Sequence, residues 1–169
     1  MSALKPLKGL KVVAIEQAVA APFATCRLAD AGAEVTKIER PEGDFARGYD
    51  EVAAGQSSYF VWLNRGKTSV ALDLTSDVER ARLRDLIADA DVVVQNLRHG
   101  ALERLGFSFE DLRRENPRLI TCSITGFDPD GDMAARKAYD LLIQAESGLC
   151  SITGGPDEPS RVGISVVAI

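Results

Sequence analysis

The sequence has 169 residues, of which 46% are hydrophobic and 27% are charged, and its 25 acidic and 20 basic residues give a formal net charge of -5. This length and composition predict one globular domain with a sizeable core and exclude a disordered chain. The basic residues form no run that could follow a nucleic acid, and no apolar run is long enough to cross a membrane, so neither partner is expected.

Five short apolar runs predict β-strands. They lie at residues 11–16, 34–39, 68–73, 91–95 and 118–124. The runs are nearly continuous in apolar residues, which is typical of parallel strands covered by helices on both faces. The sequence therefore predicts an α/β fold with a mostly parallel sheet.

Helical spacing alternates with these strands. It covers residues 22–31, with Pro22 in the first turn and Gly32 at the end, then residues 76–88, and it begins again at Ser108, where Asp111 completes a capping-box pattern. Two long loops are expected at 40–58 and 126–137. A last apolar run, 162–169, predicts a buried strand that needs further chain or a partner to cover it, so we expect a fragment of a longer fold.

The cysteines and the histidine give no catalytic or metal-binding pattern. Cys26, Cys122 and Cys150 are far apart, and His99 is the only histidine, so the usual zinc spacings are absent and no metal is expected. Small or apolar neighbours predict that each cysteine side chain is buried and that the protein lies in a reducing compartment. The N-terminus has no apolar signal segment, which also indicates a cytoplasmic protein. His99 is expected to face solvent.

Polar and small residues follow the strands at the edge where ligands bind in open parallel sheets. The first turn, 17–22, is small enough for a ligand to approach the backbone, although tight packing explains it equally well, and it lacks the glycine fingerprint of dinucleotide-binding folds. Glu39 could bind a ribose. Arg40, directly after Glu39, prefers a phosphate, and further cations are expected at the same edge. Unless they are simply solvated, these cations together indicate a phosphate-bearing ligand: Arg40, Arg98, Arg104 and Lys137. Asp140 either caps a helix over 139–147 or supports catalysis.

These segments, in this order, resemble the opening of class III CoA-transferases, the family of formyl-CoA transferase and, more distantly, α-methylacyl-CoA racemase. The matching segments include 7–13, 29–41, 63–67, 90–96, 116–120 and 137–140. The resemblance implies that residues 1–169 are a Rossmann-like CoA-binding region at the N-terminus of a longer, interlocked homodimer. It implies contacts to CoA from Arg40, Leu72, Asn96, Leu97, Ala101, Arg104, Leu105 and Lys137, with Tyr139 and Asp140 near the thioester.

The resemblance also implies the reaction, in which an aspartate attacks an acyl-CoA thioester and CoA then passes to a small carboxylic acid. Ala168 occupies the position of that aspartate, so this form is expected to be inactive. An engineered substitution, a naturally inactive member and a shifted match all remain open. Val19 replaces the glutamine of formyl-CoA transferases, which argues against formate or oxalate, and segment 55–67 resembles members acting on C4 and C5 dicarboxylyl-CoA esters.

Three other functions remain open at this point. An acyl-CoA racemase is less favoured, because racemases of the superfamily carry a His-Asp pair where this chain has Tyr139 and Asp140. A non-catalytic CoA-binding protein would explain Ala168. An NAD-dependent dehydrogenase fits the strand and helix order but lacks the glycine fingerprint.

Overall fold

The computed structural model describes residues 5–167, and within this range five strands form one parallel sheet. The strands are β1 (Lys11–Ile15), β2 (Glu34–Glu39), β3 (Thr68–Ala71), β4 (Val92–Gln95) and β5 (Ile120–Ser123). Their order across the sheet is β3-β2-β1-β4-β5. The chain therefore places β2 and β3 on one side of β1, and then β4 and β5 on the other side. The predicted parallel α/β fold is confirmed.

The helices connect these strands. They are α1 (Ala20–Asp30), α2 (Ser58–Asn64), α3 (Asp77–Ala88), α4 (Ala101–Arg104), α5 (Phe109–Glu115), α6 (Asp140–Glu146) and α7 (Leu149–Ile152), with a 3₁₀ helix at Phe45–Gly48. Three predicted helices correspond to α1, α3 and α5. Gly32 ends the α1 region with a φ of +104°, a conformation that glycine adopts without steric cost, and the Ser108 hydroxyl accepts a hydrogen bond from the Asp111 amide at 3.1 Å.

The central strands β1 and β4 are buried on both faces, as their continuous apolar runs predict, whereas the outer strands β3 and β5 are mostly exposed. Val13 and Ile15 pack on one face with Leu83 of α3, in a cluster that also includes residues of α4 and α5. Val12 and Ala14 point to the other face, in a cluster that includes Ala21 of α1. Because side chains alternate along a strand, one short strand can supply both cores.

The chain divides into two compact units, one ending at Ile124 and the other beginning at Thr125. The second unit contains α6 and α7, and residues 126–137 form turns without a helix or strand, as predicted. The helix prediction over 139–147 is confirmed, but Tyr139 is its N-cap residue, so the capping alternative for Asp140 is wrong and its role in catalysis stays a prediction. The Asp140 carboxylate instead accepts hydrogen bonds from Gln144 Nε2 at 2.6 Å and from the Val167 amide at 2.9 Å.

The strand predicted for residues 162–169 is wrong over its described part, 162–167, which is neither extended in a sheet nor buried. The run is apolar, but no strand lies beside it among the residues from 125 to 167. Side chains of α6 bind its backbone instead: Gln144 Oε1 accepts from the Val162 amide at 2.9 Å, and Gln144 Nε2 donates to the Ile164 carbonyl at 3.3 Å. A strand pattern without a pairing partner does not form a strand.

The cysteine prediction is correct for Cys26, which is buried, and wrong for Cys122, which is exposed; Cys150 is half-buried. Cys122 lies on β5 at the edge of the sheet, where its neighbour Ile120 is also exposed. His99 faces solvent, as expected. Among residues 5–167 no helix is long and apolar enough to span a membrane, and the same residues contain no group of three potential metal ligands.

Candidate functional site

A cavity of about 410 Å³ lies at the carboxyl edge of the sheet, where the strand order predicts a ligand site. Its walls come from the ends of β1 and β2 and from the residues that follow β2, β3 and β4. The apolar part of the lining is formed by Ile15, Ile38, Leu72, Leu74, Leu97 and Leu105. The polar part is formed by Glu16, Gln17, Glu39, Arg40, Glu42, Asp44, Asp73 and Thr75. A lining that combines apolar side chains with polar ones is typical of a small-molecule site.

The structure brings half of the predicted CoA contacts together at this cavity. The predicted residues that line it are Arg40, Leu72, Leu97 and Leu105. Three more belong to the segment after β4 but do not line the cavity: Asn96, Ala101 and Arg104. Lys137, Tyr139 and Asp140 belong to the second unit, where Lys137 and Tyr139 are exposed and Asp140 is half-buried. Ala168 lies outside the described residues.

Arg40 is exposed at the rim of the cavity. Its Nε donates a hydrogen bond to the Gly43 carbonyl at 2.9 Å, which fixes the direction of the guanidinium. Gly43 has a φ of +84°, so the loop that carries this carbonyl bends in a way that other residues rarely allow. A guanidinium held at the mouth of a cavity is suited to bind a phosphate group.

The Glu39 carboxylate accepts hydrogen bonds from side chains of the same chain. Arg47 donates to both carboxylate oxygens at 2.8 and 2.9 Å, and the Ser69 hydroxyl donates at 2.6 Å. Burial by itself raises the pKa of this carboxyl, but these hydrogen bonds and one from the Asp44 amide outweigh it and lower the pKa to about 2. Glu39 therefore ties β2 to β3 and to the 3₁₀ helix, which makes it a poor candidate for binding ribose.

A cluster of buried charges, which the sequence patterns did not predict, lies beside the cavity. Lys37 Nζ is 2.8 Å from Asp44 Oδ2 and 3.7 Å from Glu16 Oε1, and Lys67 Nζ is 2.7 Å from Glu16 Oε1. All four side chains are at most 1% exposed, and Thr25 also donates to Glu16 at 2.6 Å. Two carboxylates and two ammonium groups balance, so the cluster carries no net charge.

The same cluster fixes the turn between β1 and α1. Asp44 accepts hydrogen bonds from the Ala18 amide with both oxygens, at 3.1 and 3.2 Å. Ala18 has a φ of +63°, a left-handed conformation that costs an L-residue about 1–2 kcal/mol. On the other side, the Asn96 side chain accepts from the Gln17 amide at 2.9 Å and donates to the Gln17 carbonyl at 2.8 Å. Asn96 thus binds the backbone of the turn with both the oxygen and the nitrogen of its side-chain amide.

One signal in the sequence could have revealed this cluster. Lys37 lies inside a run predicted to be a strand covered on both faces, and such a lysine must have a buried counter-charge. The sequence does not indicate which carboxylate is the partner. Asp44 reaches Lys37 through the path of the loop after β2, and Glu16 reaches it through the parallel pairing of Ala14 with Lys37.

Comparison with known proteins decides the family. The model of CoA-transferase family III matches residues 7–169. The chain belongs to CoA-transferase family III. It is 43% identical to the acetyl-CoA:oxalate CoA-transferase of Acetobacter aceti over 94% of this chain and 41% of that protein. It is 41% identical to the succinate–glutarate CoA-transferase of Agrobacterium fabrum over 97% of this chain and 43% of that protein.

A solved structure supports the fold of this family III chain. The crystal structure of a CaiB/BaiF family protein from Brucella suis matches with a TM-score of 0.91 and 42% identity, over 98% of this chain and 45% of that one. The family predicted from the motifs is therefore confirmed, and so is the α/β fold. The family III chain spans about two fifths of the length of the curated relatives it matches.

Proposed function

We propose that this chain is the CoA-binding N-terminal region of an enzyme that transfers CoA between an acyl-CoA thioester and a free carboxylic acid. The observation that carries the proposal is family membership over residues 7–169, together with a cavity at the carboxyl edge of the sheet. CoA-transferases use CoA thioesters as substrates, so CoA is the ligand proposed for the cavity, and no metal is part of the proposal.

The cavity suits the nucleotide end of CoA. Leu72, Leu97 and Leu105 offer an apolar floor for the adenine ring, and Arg40 offers a guanidinium to its phosphates. Ala101, Arg104 and Lys137 are proposed as further contacts along CoA. Asn96 is proposed to act through the turn at Gln17, because its side-chain amide is already bound to that backbone.

The proposed chemistry needs a carboxylate nucleophile at position 168, with Tyr139 and Asp140 near the thioester. The carboxylate would attack the acyl carbon, forming an acyl anhydride and expelling the CoA thiolate. The thiolate would then attack the enzyme carbonyl of the anhydride, releasing the first acid and leaving CoA on the enzyme as a thioester. An incoming carboxylate would take CoA by the reverse of these two steps. An alanine at 168 cannot begin the sequence, so this form is proposed to be inactive.

The proposed substrates are short dicarboxylates and their CoA esters, with C4 and C5 acids preferred. A relative of 41% identity is named a succinate–glutarate CoA-transferase, which supports this choice. Another of 43% identity is named for oxalate, so oxalate belongs in the test panel even though Val19 argues against it. We further propose a cytoplasmic homodimer; three unpaired cysteines are consistent with a reducing compartment.

The test uses the complete gene product in three forms: unchanged, Ala168→Asp, and Ala168→Asn as a control of similar size without a nucleophile. Each is incubated with succinyl-CoA and glutarate, mesaconate, oxalate or formate, and new CoA esters are measured by mass spectrometry. Transfer by Ala168→Asp alone is expected. No transfer to any acid, despite CoA binding, would contradict the proposal and favour the one alternative that Ala168 supports, a non-catalytic CoA-binding protein. Deuterium incorporation at the α-carbon without transfer would indicate a racemase.

A further inference from the structure

We propose that Asp44 is a positioning residue, which holds the turn between β1 and α1 in the shape that the CoA site requires and does not itself bind the ligand. This proposal rests on the proposed function for the identity of the ligand. The turn consists of Gln17, Ala18 and Val19, and Gln17 is part of the cavity wall. A change in the turn therefore changes the cavity.

The hydrogen bonds of Asp44 support a positioning role. Its carboxylate accepts from the Ala18 amide with both oxygens, from the Ala46 amide at 2.9 Å and from Lys37 Nζ at 2.8 Å. Its side chain is 0% exposed. Asp44 also lines the cavity, but the acceptor sites of its carboxylate are directed at the protein, so it acts on the site through the groups that it holds.

The conformation of Ala18 shows why a strong acceptor is needed there. A residue with a Cβ avoids a φ of +63°, because the Cβ approaches the following carbonyl too closely. A buried carboxylate that receives the Ala18 amide selects this conformation over the relaxed one. Asn96 donates to the Gln17 carbonyl, which belongs to the same planar peptide unit as the Ala18 amide, so Asn96 and Asp44 orient this unit at its carbonyl and at its amide.

Lys37 supplies the charge that lets a carboxylate occupy this buried place. Removing either charge alone would leave the other uncompensated and could unfold the protein. The test therefore changes both residues together. The Lys37 ammonium lies 5.7 Å from the centre of the Phe60 ring, so a methionine at position 37 would keep a favourable aromatic contact.

The experiment compares Lys37→Met/Asp44→Asn with Lys37→Met/Asp44→Leu in the complete gene product with alanine at position 168, so that no transfer activity is needed. Asparagine keeps an acceptor for the Ala18 amide, whereas leucine has similar bulk and no acceptor. Hydrogen exchange of the peptide spanning residues 16–20 is measured without ligand, and the Kd for CoA is measured by calorimetry. The leucine variant should exchange faster and bind CoA about tenfold more weakly than the asparagine variant, since a left-handed alanine is disfavoured by roughly that factor.

A rescue variant separates positioning from general destabilisation. Glycine adopts a positive φ freely, so adding Ala18→Gly to the leucine variant should restore most of the CoA affinity. Ala54 is the matched control, because it also has a positive φ, of 55°, and is exposed at a turn outside the cavity lining. Adding Ala54→Gly should restore nothing.

Two results would overturn the proposal: equal CoA affinity and exchange in the asparagine and leucine variants, or equal effects of Ala18→Gly and Ala54→Gly. If the unchanged protein does not bind CoA, the proposed function fails, and the exchange measurement still decides whether Asp44 holds the turn.

Discussion

The unit that ends at Ile124 and the unit that begins at Thr125 are stabilised in different ways. The first has two apolar clusters, one on each face of its sheet, and a buried group of charges. In the described part of the second, Gln144 is the only buried residue, and apolar side chains such as Leu141 and Ile152 are exposed. Side chains of α6 hold its backbone through single hydrogen bonds, each with a small net contribution to stability. The first unit therefore has a core of its own, and the second depends on polar contacts.

The largest effect is expected at the buried charges of the first unit. Lys67→Met removes the ammonium group 2.7 Å from Glu16 and leaves this buried carboxylate with the Thr25 hydroxyl and the more distant Lys37 ammonium, at 3.7 Å. The free energy of unfolding, measured by denaturant titration, should fall by about 3–5 kcal/mol. Arg114→Met removes exposed ion pairs with Glu110 and Asp111 and should cause little change. If Lys67→Met and Arg114→Met lowered the free energy of unfolding equally, burial would not increase the contribution of the Lys67–Glu16 pair to stability.

A smaller effect is expected from leucine truncations that compare the two units directly. Leu83→Ala in α3 opens a cavity in the core and should cost about 2–5 kcal/mol of unfolding free energy. Leu141→Ala in α6 changes a side chain that is 50% exposed and should cost less than about 0.5 kcal/mol. A large loss from Leu141→Ala would mean that this face is covered in the complete protein, and the contrast between the units would not hold there.

The smallest effect at neutral pH, but a specific one at low pH, is expected from Arg47→Met. The pKa of Glu39 is about 2 in the folded chain against an ordinary value of 4.5, so the stability from its ionised form is complete above pH 4.5 and is lost as the pH falls through 2. Without Arg47 this pKa rises, and the loss begins at higher pH. Because Arg47 is 46% exposed, water replaces part of its contact and the effect at pH 7 is modest.

The measurement is the free energy of unfolding between pH 7 and pH 2. Arg136→Met, which removes an exposed ion pair with Glu146 in the second unit, is the control and should leave the acid transition unchanged. An acid transition that stays in place with Arg47→Met would show that Ser69 and the Asp44 amide alone keep Glu39 ionised.

The strands, the main helices, the parallel sheet and the edge that carries the cavity were predictable from the sequence. Strands buried on both faces are nearly continuous in apolar residues, as in Val12 to Ile15, and helix starts such as Ser108 have a local hydrogen-bonding signal. The family was predictable as well, because its motifs occur in order along the chain. The strands and the helix starts depend on residues that are neighbours in the sequence, so local chemistry is sufficient to specify them.

The contacts that shape the site were decided only by the tertiary structure. Asn96 reaches Gln17 across 79 positions, and Lys67 reaches Glu16 across 51, through the pairing of separate strands. The exposure of Cys122 depends on β5 lying at the sheet edge, and residues 162–167 have the pattern of a strand but no strand to pair with. A sequence states which groups need a partner, such as the lysine inside β2, whereas strand register and loop path determine which partner each one finds.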